Sequence, residues 1–397
     1  MLLLDPAFLP QLEKNFLKMI KVFIIFGTRP EAIKLAPVIK EMEKYSSKFR
    51  VTICVTGQHK EMLNQVLEIF DLVPDINLNI MKKNQSLSDI TIEVLRRLEE
   101  FFKQKEPDLI VVQGDTTTTF AASLAAYYAR IKIAHIEAGL RSGDKYNPFP
   151  EEINRKLTDC LADFYFAPTE KAKENLINEG IEQKKIFVTG NTVIDALLTI
   201  SKKIEKTKKA RQIEEMFFSN YGVNLNGRRI LLVTGHRRES FGPDFESICY
   251  GLKKVAEVHE DVSIVYPVHL NPNVREPVYR ILGHVPNIHL LEPLDYEHFV
   301  WLMTKSFAVL TDSGGVQEEA PALGKPVLVM RKTTERPEGI EAGTACLVGV
   351  NRNNIYQKAR LLLDNSEYYQ KMAKAVNPYG DGRASQRIVK ILDEYFS

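Results

Sequence analysis

The sequence predicts an α/β protein of two Rossmann-like domains facing each other across a cleft, on three observations. Short β-branched runs alternate with helical stretches along most of the chain, which implies parallel sheets with helices on both faces. Twelve such runs can be read, too many for one comfortable open sheet. The pattern also restarts at Arg229, after a charged segment.

In the first half the strands are expected at KVFIIF, VTICVT, DLIVVQ, KIAHIE, FYFAPT and IFVTG. In the second half they are expected at RILLVTG, SIVYPVH, IHLLEP, AVLTDS, PVLVMR and ACLVG. The segment from Ile200 to Arg229 is charged, then carries Gly and Asn, and reads as the first helix of the second domain with its loop. The hinge is placed near Gly190 and Asn191. The closing SQRIVKILDEYF has apolar residues at helical spacing, Ile388, Ile391, Leu392 and Tyr395, and is read as an amphipathic helix. The expected boundaries are therefore an extension over 1–20, disordered or of non-native origin, then domains over 21–189 and 190–384. Residues 385–397 are expected to form a helix packing back on the first domain. The opening MLLLDPAFLP lacks a basic start and is broken by Asp5 and Pro6, so it is not read as a signal peptide. The part before Met19 is read as an upstream start or a scar.

A length of 397 residues suits two or three domains, and 44% hydrophobic residues allow a sizeable core. Lys+Arg number 53 against Asp+Glu 51, a balance that argues against a general nucleic-acid binder. No apolar run approaches the roughly 18 residues of a membrane-spanning helix. The four cysteines are scattered, with no CxxC pair. That is neither a disulfide framework nor a zinc site, and it suits a reducing, cytoplasmic setting.

In open α/β sheets, ligands sit beyond the carboxyl ends of the strands, and six loops there carry chemistry. FGTRPEAIK offers a helix start that can bind an anion, with Arg29 and Lys34 nearby, Pro30 at the first helical position and Gly27 for a tight turn. TGQH places Gln58 and His59 after the second strand, where a surface or capping role is the commoner one. QGDTTTT places Asp115 at a strand-to-helix turn, as a helix cap or as a base. HIEAGLRSGDKYNPFPEEINR puts Glu137 at a strand end, with Arg141 or Arg155 as its expected partner. It also puts Glu151 and Glu152 at a helix start, where the dipole alone favours them. TGHRRESFG sets His236 beside Arg237 and Arg238, whose charge favours a neutral imidazole or a shared anion, and a second histidine, His269, follows in YPVHLNP. In TDSGGVQEEAPALGKP, Ser313, Gly314 and Gly315 open a helix where a phosphate can approach the backbone. Glu318 and Glu319 lie about one turn further in, where a carboxylate can accept two ribose hydroxyls. Pro321 predicts a short or kinked helix ending near Gly324.

There is no GxGxxG, P-loop, HExxH, DxD or Cys/His cluster, so no nicotinamide cofactor and no metal are implied. Two anion-binding helix starts plus acids and a histidine suit a sugar nucleotide gripped by its diphosphate.

The runs FGTRPEAIKLAPVI, QGDTTTT, HIEAGLRSGD, PEEINR, TGNTVIDAL, TGHRRESFG, YPVHLNPNVREPV, TDSGGVQEEAPALGKPVLVMRKTTERPE and NPYGDG together resemble the bacterial non-hydrolysing UDP-N-acetylglucosamine 2-epimerases, from about Lys21 to the end of the chain. The resemblance implies a glycosyltransferase-B-like fold, a homodimer and no cofactor. It implies reversible conversion of UDP-GlcNAc to UDP-ManNAc, feeding surface polysaccharide. It places catalytic roles on Asp115, Glu137, Glu151 and His236. UDP contacts fall on Arg29, Lys34, Ser313, Gly314, Gly315, Glu319 and Arg336. A regulatory substrate site falls on Gln58 and His269. The alternatives are a hydrolysing relative releasing free ManNAc and UDP, a glycosyltransferase on the same fold, and a non-catalytic sensor.

Overall fold

The structure, a computed structural model, describes residues 19–57, 60–82, 84–223 and 227–397, with only the backbone of residues 60–62. The expected extension lies outside the described residues as far as residue 18. Gln58 and His59 lie outside them as well. The chain divides into two compact units, one of residues up to Thr189 with Ser385–Ser397, the other Gly190–Ala384.

The first unit is built on seven strands: β1 Ile20–Phe26, β2 Phe49–Val55, β3 Ile76–Asn77, β4 Leu109–Gln113, β5 Lys132–Ile136, β6 Phe164–Ala167 and β7 Ile186–Val188. Their order is β3-β2-β1-β4-β5-β6-β7, and the pairs are parallel, with Ile24 set between Ile53 and Val111. Two boundaries differ from expectation. Ile20 already pairs with Phe49 and is buried, so the strand begins one residue inside the supposed extension. β3 is a thirteenth strand, and its two residues are too few to show any period.

β4 is buried along its whole length, because helices cover both faces and a parallel strand then needs a continuous apolar run. On one face the helix Thr117–Tyr128 packs small side chains, Ala121, Ala122, Ala125 and Ala126, into a core with Ile90, Val94, Leu98 and Phe102 of the helix Leu87–Lys105. Each fully buried aliphatic side chain contributes about 1.5–3 kcal/mol, well above the roughly 0–1 kcal/mol of an exposed ion pair such as Lys103 with Glu99. The last helix, Ala384–Phe396, buries Ile388, Val389 and Leu392. Its Tyr395 ring meets Phe164 edge-on at 4.6 Å, and Asp393 pairs with Lys48 at 2.6 Å.

The second unit has six strands: β8 Arg229–Thr234, β9 Val262–Pro267, β10 Ile288–Leu291, β11 Ala308–Thr311, β12 Val327–Val329 and β13 Ala345–Leu347. They are all parallel, in the order β10-β9-β8-β11-β12-β13. The charged segment ahead of β8 holds two helices, Thr192–Glu205 and Lys209–Tyr221, where one had been expected. Phe217 anchors the second by stacking on Trp301, with ring centroids 5.2 Å apart.

Each sheet reverses its strand order once, between β1 and β4 in the first unit and between β8 and β11 in the second. At such a reversal the two connecting helices leave to opposite faces, opening a crevice at the carboxyl ends of the two strands. The chemistry-bearing loops after β1, β4, β8 and β11 all sit at these points.

Candidate active site

At the first unit's reversal, Glu31 ties two loops together. Its Oε2 accepts the Gly27 and Thr28 N–H groups at 3.0 and 2.7 Å, while its Oε1 accepts the Thr116 and Thr119 hydroxyls at 2.7 and 2.9 Å. Burial raises its carboxyl pKa, against the pull of its hydrogen-bond donors, Thr116 first among them. Gly27 is there for space and not for a turn. A Cβ would overlap the Thr56 hydroxyl and lie 2.7 Å from the Thr118 hydroxyl, and its φ is not in the left-handed region. The helix Arg29–Glu43 starts beside this cluster with Pro30 in its first turn. Arg29 is half-buried and makes no ion pair among the described residues.

Three acids surround the same crevice. Asp115 follows the turn at Gly114, whose φ is 75°. It does not cap the helix, because Thr116 does, accepting the Thr119 N–H at 3.1 Å. Its carboxylate is paired with Arg155, and its carbonyl accepts from Asn154 Nδ2 at 3.0 Å. Glu137 is buried, with a left-handed φ of 69°. Such a backbone costs a non-glycine residue about 1–3 kcal/mol and persists only where surroundings enforce it. Here Lys34 and Gln113 both donate to Oε2, and the Glu137 N–H reaches the Phe166 carbonyl at 3.0 Å. The expected partners, Arg141 and Arg155, are used elsewhere: a parallel sheet brings Lys34, 103 positions away, closer than any arginine nearby in sequence. Glu151 stands half-buried at the first turn of the helix Glu151–Leu161, without an ion-pair partner among the described residues. Its neighbour Glu152 is structural. It is buried, accepts the Ser142 and Gly143 N–H groups at 2.9 and 3.3 Å, and receives Arg155 Nη1 at 3.0 Å.

Beneath Asp115 lies a fully buried pair. His135 faces Asp159 through Nδ1 and the Gly114 carbonyl through Nε2, both at 2.7 Å. Burial alone would raise the Asp159 carboxyl, but His135 and Arg141 outweigh it and hold it below the usual carboxylate range. Arg141 reaches Asp159 at 2.7 Å and also binds Glu179.

The second unit's crevice has a different lining. The helix Gly314–Ala322 begins at Ser313, whose side chain makes no capping bond, and it ends two residues before Gly324. A Cβ on Gly315 would meet nothing within 4 Å, so protein packing does not explain this glycine. A Cβ on Gly314 would lie 3.5 Å from Glu335, 3.7 Å from Arg237 and 3.9 Å from Arg336. The helix start thus faces two guanidinium groups, a setting for an anion. Glu335 lies between Arg237 at 3.4 Å and Arg331 at 2.9 Å. Burial would raise its carboxyl, but Arg331, Arg237 and Arg336 hold it below the ordinary value. Arg336 pairs with buried Glu318, which also accepts from Asn191 at 2.6 Å. Glu319 is buried with the Tyr296 hydroxyl 3.5 Å away.

His236 follows β8. Its ring stacks on exposed His269, with centroids 5.4 Å apart and planes within 16°. Its pKa is lowered, chiefly by burial, with His269 and Arg237 adding to that and Asp312 opposing. The flanking arginine therefore acts as expected but is not the main cause.

The first unit thus gathers Arg29, Lys34, Asp115, Glu137 and Glu151, and the second gathers His236, His269, Ser313, Gly314, Gly315, Glu319 and Arg336. Three contributors had not been singled out. Glu31 carried a signal, the T-x-x-E spacing of a capping box. His135 and Asp312 carried none, since their partners lie far away in the chain.

Comparison with known proteins places the chain in a family. The family model for UDP-N-acetylglucosamine 2-epimerase matches residues 40–393. The UDP-N-acetylglucosamine 2-epimerase of Escherichia coli K12 is 53% identical over 372 residues, 94% of this chain and 98% of that one. The Neisseria meningitidis UDP-GlcNAc 2-epimerase, solved bound to UDP-GlcNAc, superposes with a TM-score of 0.86 at 50% identity, covering 94% of this chain and 100% of that one. The Methanocaldococcus jannaschii enzyme, solved with UDP-GlcNAc and UDP, does so at 0.77 and 37%, with the same coverage. On the extent of these matches, the chain belongs to the UDP-N-acetylglucosamine 2-epimerase family.

Proposed function

We propose that the protein interconverts UDP-GlcNAc and UDP-ManNAc reversibly, without net hydrolysis, by eliminating UDP and adding it back. The observation that carries this reading is the pairing of chemistries. One crevice offers a helix start with an open glycine face and two arginines, and the other offers three carboxylates.

The substrate's C2–H is not next to a carbonyl, so direct removal of that proton is out of reach at neutral pH. If the C1–O bond to UDP breaks first, its electron pair leaves with the diphosphate and positive charge develops at C1. That charge acidifies C2–H, and a carboxylate takes the proton to leave a 2-acetamidoglucal. Return of a proton to the opposite face of C2, with UDP re-adding at C1, completes the inversion. The change is a net isomerisation, so electrons balance without an oxidant. Asp115, Glu137 and Glu151 are the groups for the proton steps. Ser313, Gly314, Gly315, Arg29 and Arg336 stabilise charge as it builds on the leaving diphosphate, and Glu319 holds the ribose. Lys34 serves through Glu137, to which it is bonded. His236 faces the leaving group.

The relatives solved with UDP-GlcNAc and UDP support the substrate assignment. Two further readings belong to the same proposal: a homodimer that supplies ManNAc units for surface polysaccharide, and substrate activation through His269. Gln58, the other residue of that regulatory site, is outside the described residues. Incubation with UDP-GlcNAc in deuterium oxide, without any acceptor, tests the scheme by proton NMR. UDP-ManNAc carrying deuterium at C2 is the expected product. Stoichiometric free ManNAc and UDP would instead make the protein a hydrolysing epimerase.

A further inference from the structure

We propose that Asp312 is a positioning residue for His236: its carboxylate takes the Nδ1–H of the ring, so that Nε2 is the nitrogen presented to a bound diphosphate. This rests on the reading above that the second unit's crevice grips a nucleotide diphosphate.

Asp312 follows β11 and is 1% exposed. Its Oδ2 is fully used, accepting the His236 N–H at 2.6 Å and the Arg237 N–H at 2.8 Å. Its Oδ1 is buried and has no hydrogen-bond partner among the described residues. A buried polar atom left unpaired costs about 1–3 kcal/mol, and more when charged, so this oxygen needs a donor. The nitrogen set against it is His236 Nδ1, at 3.6 Å. A small rotation of the half-exposed ring brings that nitrogen into bonding range. The two backbone bonds anchor the carboxylate to the residue whose ring it faces, so the two cannot drift apart.

The remaining neighbours fit a ring that gains charge when ligand arrives. His269, stacked on the His236 ring, accepts the Asn271 N–H on its Nδ1 at 3.1 Å. Burial, His269 and Arg237 lower the pKa of the unliganded ring, against Asp312. Arg237 is itself shared with Glu335. A diphosphate adds negative charge to that balance and favours the imidazolium. With Nδ1–H held by Asp312, the second N–H of the imidazolium lies on Nε2, free to stabilise the departing oxygen.

Asp312→Asn tests this. Its amide oxygen can still accept both backbone N–H groups, but its NH2 turns a donor toward Nδ1, which forces the neutral ring's proton onto Nε2. The readout is NMR of isotope-labelled ring nitrogens, with His236 assigned by its loss in His236→Asn. The neutral wild-type ring should carry its proton on Nδ1 and the Asp312→Asn ring on Nε2. In the variant the titration midpoint should move further down, and kcat should fall on the order of a hundredfold with little change in KM. The double variant with His236→Asn should be no slower than His236→Asn alone. A wild-type ring protonated on Nε2, or losses that multiply in the double variant, would overturn the proposal, and the wild-type spectrum decides it even if the variant does not fold. These ring signals do not depend on turnover, so absence of epimerase activity would count against the nucleotide reading and leave this one to the spectra.

Discussion

The two crevices occupy equivalent places on equivalent scaffolds, yet their polarities are inverted. In the first unit carboxylates are displayed and cations hold them: Lys34 on Glu137 and Arg155 on Asp115. In the second, guanidinium groups are displayed and carboxylates hold them: Glu335 on Arg237 and Glu318 on Arg336. The scaffold determines where ligands sit, and the loops decide the chemistry. A cation orients the acid it holds, and a carboxylate beside a guanidinium fixes its fork before a ligand arrives. The inversion is what a division of labour between proton transfer and leaving-group stabilisation would require.

Substitutions can break or sharpen that contrast. The largest effect is expected at Asp115→Asn, which should slow deuterium incorporation at C2 by about 10²–10⁴-fold while UDP affinity, read by calorimetry, stays close to wild type. Weak UDP binding in that variant would mean that Asp115 itself helps hold the nucleotide.

Asp159→Asn should destabilise the fold by about 3–5 kcal/mol, since it leaves His135 and Arg141 facing a neutral group in a buried site. Its pH dependence has a definite sign. Asp159 is depressed in the fold, so its contribution is present above the unfolded value of about 3.9 and is lost as pH falls through the lower folded value. Denaturation of the wild type followed across that acid window should show this loss, and Asp159→Asn should not.

A smaller effect is expected at Gly315→Ala. The added methyl meets no protein atom within 4 Å, and alanine is favoured over glycine in a helix by about 0.5–1 kcal/mol, so the melting temperature should hold or rise. UDP affinity should drop by about tenfold, or 1.4 kcal/mol. Unchanged affinity would move the diphosphate away from this helix start. The smallest change is expected at Glu31→Gln. Its amide can still accept the two backbone N–H groups and donate to the two threonine hydroxyls, so stability measured in denaturant should stay within about 1 kcal/mol of wild type.

The fold class was legible because strands buried on both faces leave near-continuous apolar runs, as in β1 and β4. β3 was not, since Ile76 and Asn77 carry no period. The second unit's helix start was legible as local chemistry, because Ser313, Gly314 and Gly315 are consecutive. The first-unit acids could be located, but their partners could not. Lys34 reaches Glu137 through sheet topology, where sequence distance had suggested Arg141 or Arg155. Gly27 was misread because its need is set by Thr56 and Thr118, which sequence proximity cannot reveal. The same holds for Asp312, whose bonds go to a loop 75 and 76 positions earlier.

The most direct test of detachment and return of the nucleotide uses UDP-GlcNAc carrying heavy oxygen in the bridge between C1 and the β-phosphorus. During epimerisation the label should spread into the non-bridging oxygens of the β-phosphate, because freed UDP can rotate before it re-adds. Label that stays wholly in the bridge of the UDP-ManNAc formed would contradict it.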